Sequence, residues 1–131
     1  MIFKIILSVI LGFLIGLERE QHGKAVGIRT MSLITLGSTL FCLMSSFAYP
    51  DSSRIVAQIV SGIGFLGGGI IFKNGDEVKG LTTAATIWAS AAVGCLVGMN
   101  MQVEACYGTL TIIIVNILFK YLKTDKNKDH E

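Results

Sequence analysis

Polar side chains are gathered into short knots along this chain, and the stretches between the knots are apolar on every face. Five such stretches stand out, at about Ile2 to Leu17, Met31 to Ala48, Ile55 to Phe72, Leu81 to Met99 and Val103 to Leu122. An amphipathic helix of a soluble domain keeps one polar stripe, and a half-buried strand alternates. These segments do neither, and each approaches the roughly 20 residues that an α-helix needs to cross a hydrocarbon core of about 30 Å. The pattern predicts an all-α polytopic transmembrane bundle of about five helices.

The first stretch is the shortest and is expected to continue to Glu18 at an interface. The third holds Gly62, Gly64, Gly67, Gly68 and Gly69 in one run, which weakens a helix. A full crossing with room for a local kink is preferred to a re-entrant loop, because a loop would spoil the charge distribution described next. After Leu122 the composition turns charged, so residues 1–122 read as the membrane domain and 123–131 as a solvated tail.

The charges suggest an orientation. With the N-terminus outside, nine basic residues (Arg19, Lys24, Arg29, Lys73, Lys79, Lys120, Lys123, Lys126 and Lys128) fall on the cytoplasmic side and only Lys4 and Arg54 on the other, as the positive-inside rule requires. Composition agrees with a bilayer as solvent: 52% of the residues are hydrophobic, 15% are charged, and the mean hydropathy is +0.67. A formal charge of +2 without interleaved aromatic platforms argues against nucleic-acid binding. Cys42, Cys95 and Cys106 lie in or beside apolar segments without C-x-x-C spacing and read as free thiols. Lys4 and the following apolar run mimic a signal peptide, but Glu18-Arg-Glu20 follows Leu17 with no small-x-small cleavage site.

Candidate chemistry is sparse. Gly12 with Gly16, Gly64 with Gly68, and Gly94 with Gly98 form three G-x-x-x-G pairs, the spacing that lets helix backbones approach closely in lipid, within one chain or in a homodimer. Glu18 closes the first helix and Arg29 opens the second, so the two are expected to pair, or else to anchor the ends at the interface. Arg19 fits a headgroup-contacting anchor best. Arg54 and Gln58 share a helix face, with Gln58 a turn deeper and expected to hydrogen-bond across helices together with Ser61. Thr82, Thr83 and Thr86 are expected to cap the fourth helix. Glu18, Arg29, Gln58, Ser61, Thr82, Thr83 and Thr86 are thus the candidate polar cluster. Asp76 and Glu77, flanked by Lys73 and Lys79, make a poor hard-cation site, and His22 and His130 have no ligand partners in sequence. No catalytic, metal or cofactor site is expected, and no nucleophile, phosphate loop or cofactor motif is present.

Three blocks carry a resemblance: Gly12-Phe-Leu-Ile-Gly-Leu-Glu-Arg-Glu20, Gly27-Ile-Arg-Thr30, and Arg54 through Gly69 continuing to Lys79-Gly-Leu-Thr-Thr-Ala-Ala-Thr86. In order and spacing they resemble the membrane domain of the MgtC/SapB family, across about residues 5 to 120. Thr82 stands where some relatives have Asn, and Gly68 where many have Ala. The resemblance implies a bacterial inner-membrane protein linked to magnesium limitation, acid stress or survival in hosts, in a short form without the cytoplasmic ACT-like domain that many members carry. It implies regulation of other membrane proteins, the ATP synthase among them, rather than direct magnesium transport. The competing expectation is an ion or solute transporter or channel, for which polar residues should line a path across the bilayer.

Overall fold

In the computed structural model, residues 1–48 and 52–125 are described. They form five helices and one hairpin: α1 (Ile2–Gln21), α2 (Ile28–Ala48), α3 (Ser52–Gly68), β1 (Phe72–Asn74), β2 (Glu77–Lys79), α4 (Leu81–Gly98) and α5 (Gln102–Asp125). The helices run up and down, so that the C-terminal ends of α1, α3 and α5 and the N-terminal ends of α2 and α4 share one end of the bundle. Contacts at both ends fix this arrangement. Gly16 of α1 meets Ile28 of α2 at one end, and Lys4 Nζ donates to the carbonyl of Gly98 at the other, 3.0 Å away.

Local sequence explains how the helices stop. Past α1, Gly23 adopts φ +65°, its N–H reaches the Glu20 carbonyl and the Lys24 N–H reaches that of Arg19, a Schellman cap that satisfies two orphaned acceptors. Asn100, at φ 67°, performs the same turn after α4, with Met101 N–H bonded to the Leu96 carbonyl at 2.9 Å. The polar turn at Asp76 and Glu77 is a β-hairpin, with Lys73 paired to Val78 and Gly75-Asp76 at its tip. Its strands are exposed, and Lys79 and Glu77 lie 3.4 Å apart in solvent.

The glycine run does not break α3, which is continuous from Ser52 to Gly68. It is shorter and earlier than the apolar run suggested, because the chain leaves the helix at Gly69 to enter the hairpin. Likewise α5 runs through Leu122 to Asp125, so the first residues of the expected tail continue the helix; 126–131 lie outside the described residues. Three helical stretches are long and apolar enough to cross a membrane alone: Ile28–Ser46, Leu81–Gly98 and Gln102–Tyr121. The charges Lys4, Glu18 and Arg19 set α1 apart from these, and its 17-residue length sets α3 apart.

The bundle carries an apolar surface over an interior that mixes apolar side chains, among them Ile15, Met31, Ile87, Val93 and Val97, with hydroxyls. Ser8, Thr35, Ser38, Thr39 and Ser90 are buried, whereas Phe13, Phe41, Phe65, Trp88, Leu110 and Phe119 are exposed. Lipid is as apolar as leucine, so bulky side chains gain little by turning inward, and small and hydroxyl residues make the helix contacts. Here Thr35 Oγ1 donates to the Ser8 carbonyl at 2.7 Å and Thr39 Oγ1 to the Gly94 carbonyl at 2.8 Å, joining α2 to α1 and α4.

Two of the three glycine pairs make these contacts. A Cβ on Gly12 would strike Thr35 Oγ1 and approach the Met31 carbonyl to 2.7 Å; one on Gly94 would strike the Thr35 carbonyl and approach Ser38 Cβ to 2.7 Å. Gly16 and Gly98 are similarly tight against Ile28 and Cys42. Helix α2 is therefore held between two glycine faces that converge on Thr35. The third pair departs from expectation: a Cβ at Gly62, Gly64 or Gly68 would meet nothing within 4 Å, and at Gly69 only carbonyls of its own helix. Only Gly67 of that run faces a neighbour, the Ala84 carbonyl at 3.6 Å. The reason is position, since α3 lies at the edge of the bundle and leans on α4 through Ile63 and Gly67.

Candidate functional site

Where α1, α4 and α5 converge at the charged end, the described part of the molecule buries both members of an adjacent acid and base. Glu18 is 6% exposed and Arg19 2%. They are neighbours on α1 and so point about 100° apart, Glu18 toward α5 and Arg19 toward α4. Glu18 Oε2 accepts from Asn116 Nδ2 at 3.2 Å. His22, one turn on, places Nδ1 2.9 Å from Glu18 Oε1 and 2.7 Å from the Glu18 carbonyl. Both neighbours are acceptors, so Nδ1 carries a proton. Arg19 Nη2 donates to Thr83 Oγ1 at 2.9 Å, while its Nε is buried with no partner among the described residues.

Thr86 closes the cluster. Its hydroxyl donates to the Thr82 carbonyl at 2.9 Å and lies 3.4 Å from Asn116 Oδ1. The result is a chain of polar groups, His22 to Glu18 to Asn116 to Thr86, with Arg19 and Thr83 beside it. Burying one charge without its partner costs several kcal/mol, which makes this arrangement sensitive to the loss of any member. A carboxylate held by an amide and an imidazole, next to a guanidinium held by one hydroxyl, fixes the angle between α1, α4 and α5.

The sequence-derived cluster is only partly assembled. Glu18, Thr83 and Thr86 come together, and Thr82 contributes its carbonyl. Arg29 does not pair with Glu18: it is exposed on the α2 side, and Glu18 is already satisfied by Asn116 and His22. Arg19 is not a headgroup anchor but the more deeply buried of the two charges. The threonines do not cap α4, whose N-cap is Gly80 with no side-chain hydrogen bond; Thr83 is engaged by Arg19, and Thr86 bonds back along its own helix. Gln58 and Ser61 are neighbours one turn apart on α3, but both are exposed, and neither hydrogen-bonds across helices among the described residues.

Two members escaped the sequence reading. Asn116 carried a usable signal, a single amide inside Ile112-Ile-Ile-Val-Asn-Ile-Leu-Phe119, since a polar group in an apolar span needs a partner. His22 carried none, because its partner Glu18 is recognisable only once α1 is seen to continue past Glu18 to Gln21 and bring i and i+4 together.

A second feature lies between α2 and α3. A groove of about 750 Å³ is walled by Leu33, Ile34, Gly37, Phe41 and Met44 on one side and Ile55, Gln58, Ile59, Gly62 and Leu66 on the other, with Arg29 and Thr30 at the charged end. The glycines keep it open, since nothing lies within 4 Å of a Cβ at Gly37 or Gly62.

Comparison with known proteins places this architecture. The MgtC family matches residues 5–124. Protein MgtC of Brucella abortus (strain 2308) is 51% identical over 117 residues, which is 88% of this chain and 49% of that protein. Protein MgtC of Salmonella typhimurium (strain LT2) is 45% identical over 120 residues, 91% of this chain and 52% of that protein. An uncharacterized protein of Synechocystis sp. is 45% identical over 125 residues, 94% and 53% respectively. The chain thus spans about half the length of these relatives. No solved structure matches. With the three glycine- and charge-bearing blocks inside the matched region, a helical bundle with an apolar outer surface and identity near one half to proteins named MgtC, this chain is a membrane protein of the MgtC family.

Proposed function

We propose that the protein regulates other proteins of the bacterial inner membrane by docking against them through the outer face of α3, under the magnesium-limited or acid conditions that the family resemblance implies. One observation carries this reading. Ala57, Ser61, Gly64 and Gly68 recur at spacings of four, three and four on α3, and all four are exposed. Small residues at this spacing let a second helix approach closely in lipid. Within the chain the equivalent faces of α1 and α4 are used for packing, and this one is left over. The same face serves a homodimer or a partner, of which the membrane sector of the ATP synthase is the first to probe.

The bundle sits with its charged end in the cytoplasm and all five helices crossing. Supporting this, Lys24, Arg29, Lys73, Lys79 and Lys120 gather at that end, against Lys4 and Arg54 at the other. The hydroxyls that run through the core favour packing over a conducting path, because Thr35, Thr39 and Ser90 are committed to carbonyls of Ser8, Gly94 and Thr86.

The test uses Gly64→Leu. Space at Gly64 is open, so the variant folds and inserts like the parent. It is expected to lose the support of growth at low magnesium and its photo-crosslinks from α3 to other membrane proteins, while Phe13→Leu on the exposed surface of α1 keeps both. Full activity of Gly64→Leu together with Gly68→Leu would overturn the docking reading. So would saturable magnesium or proton flux in liposomes holding the purified protein.

A further inference from the structure

The groove between α2 and α3 is separate from the small-residue face of α3, since the mean direction of Gln58, Gly62 and Leu66 lies about 125° around the helix from that of Ser61, Gly64 and Gly68. Its size narrows the occupants. The wall on α2 runs from Arg29 to Met44, about 22 Å at 1.5 Å per residue. The 750 Å³ lies in the usual range of about 300–1,000 Å³ for small-molecule sites, a size that suits a thin, flexible apolar chain.

Charge fixes the rest. Among the described residues, Arg29 is the one charged side chain lining the groove, and it stands exposed at the end where the bundle's basic residues collect. The remaining wall is apolar except for Thr30, Ser38 and Gln58. An apolar slot deeper than one hydrocarbon leaflet of about 15 Å, with a guanidinium at its mouth, matches an amphiphile with an anionic head and a long tail. The geometry points to a resident anionic phospholipid from the surrounding bilayer, its phosphate against Arg29 and one acyl chain along Leu33, Phe41, Ile59 and Gly62. A bound chain there joins α3 to α2 across a gap that side chains do not fill, holding an edge helix that otherwise leans on α4.

The protein purified in detergent is titrated with phosphatidylglycerol or phosphatidylcholine of identical acyl chains, and bound lipid is counted by native mass spectrometry. One lipid per chain is expected, with about fivefold preference for phosphatidylglycerol, the factor that one basic group near a membrane surface supplies. Arg29→Gln removes the preference but keeps the occupancy. Gly62→Leu and Gly37→Leu, which extend side chains into the open slot, each lower occupancy by both lipids. Lys24→Gln, which removes an exposed charge outside the groove, leaves binding unchanged. No headgroup preference in the parent, a preference that survives Arg29→Gln, or occupancy that survives both leucine substitutions would each overturn the proposal, the last showing bulk annular lipid.

Discussion

Alanine substituted for glycine at two positions should move stability in opposite directions, because one glycine is a packing surface and the other is not. At Gly94 the new methyl strikes the Thr35 carbonyl oxygen and stands 2.7 Å from Ser38 Cβ. Ordinary contact begins near 3.4 Å, so α2 and α4 must separate by at least about 0.7 Å, in an interior as closely packed as an organic crystal. Backbone atoms cannot rotate away as side chains can. Overpacking of this kind costs about 1–3 kcal/mol, and the separation also stretches the bond from Thr39 Oγ1 to the Gly94 carbonyl. Against this stands about 0.8–1 kcal/mol gained by replacing glycine with alanine inside a helix. Net destabilisation of up to about 2 kcal/mol follows for Gly94→Ala. At Gly64 no atom lies within 4 Å of the added methyl, so only the propensity gain remains and Gly64→Ala should stabilise by up to about 1 kcal/mol. Equilibrium unfolding of the two variants and the parent in mixed detergent micelles reads the difference directly. If Gly94→Ala unfolds no more readily than the parent, or both variants shift the same way, the close approach of α4 to α2 is wrong.

Removing the acceptor in the buried cluster by Glu18→Ala strands the Asn116 amide and leaves the His22 ring only the backbone carbonyl of residue 18, and should cost about 1–3 kcal/mol in the same assay; Glu18→Gln, which keeps an acceptor for Asn116, should cost measurably less. Thr39→Val deletes one interhelical hydrogen bond while preserving shape, so a loss near 0.6 kcal/mol is expected, the average for such bonds in membranes. Of the three thiols, Cys106 is exposed and Cys42 and Cys95 are buried, so brief treatment of the folded protein with a membrane-permeant maleimide should add one label, and unfolding should add the other two. Cysteines placed at Lys24 and Asp76 should be labelled from one side of the membrane and a cysteine at Asn100 from the other; labelling of all three from one side would reject the alternating arrangement.

The apolar runs alone determined that the chain is a bundle of membrane helices, because a segment apolar on all faces has no stable place in a small soluble domain. They also located the helices to within a few residues, and the charge knots located the bundle's polar end. The G-x-x-x-G pairs named Gly12, Gly16, Gly94 and Gly98 as contact residues, a local signal that depends only on spacing along one helix. What spacing could not decide was which helices stand at the edge. Gly64 and Gly68 have the same spacing as Gly94 and Gly98, yet they are exposed because α3 packs on α4 with a different face. The same limit governs the polar cluster. Glu18 and Arg29 are 11 residues apart and sit at the same end, which made pairing plausible, but Asn116, 98 residues away, holds the carboxylate instead. Local preferences are written into neighbouring residues. Partners drawn from α1, α4 and α5 become neighbours only when three helices are packed, and the cost of leaving a buried charge or amide unpaired then selects among the contacts that packing allows.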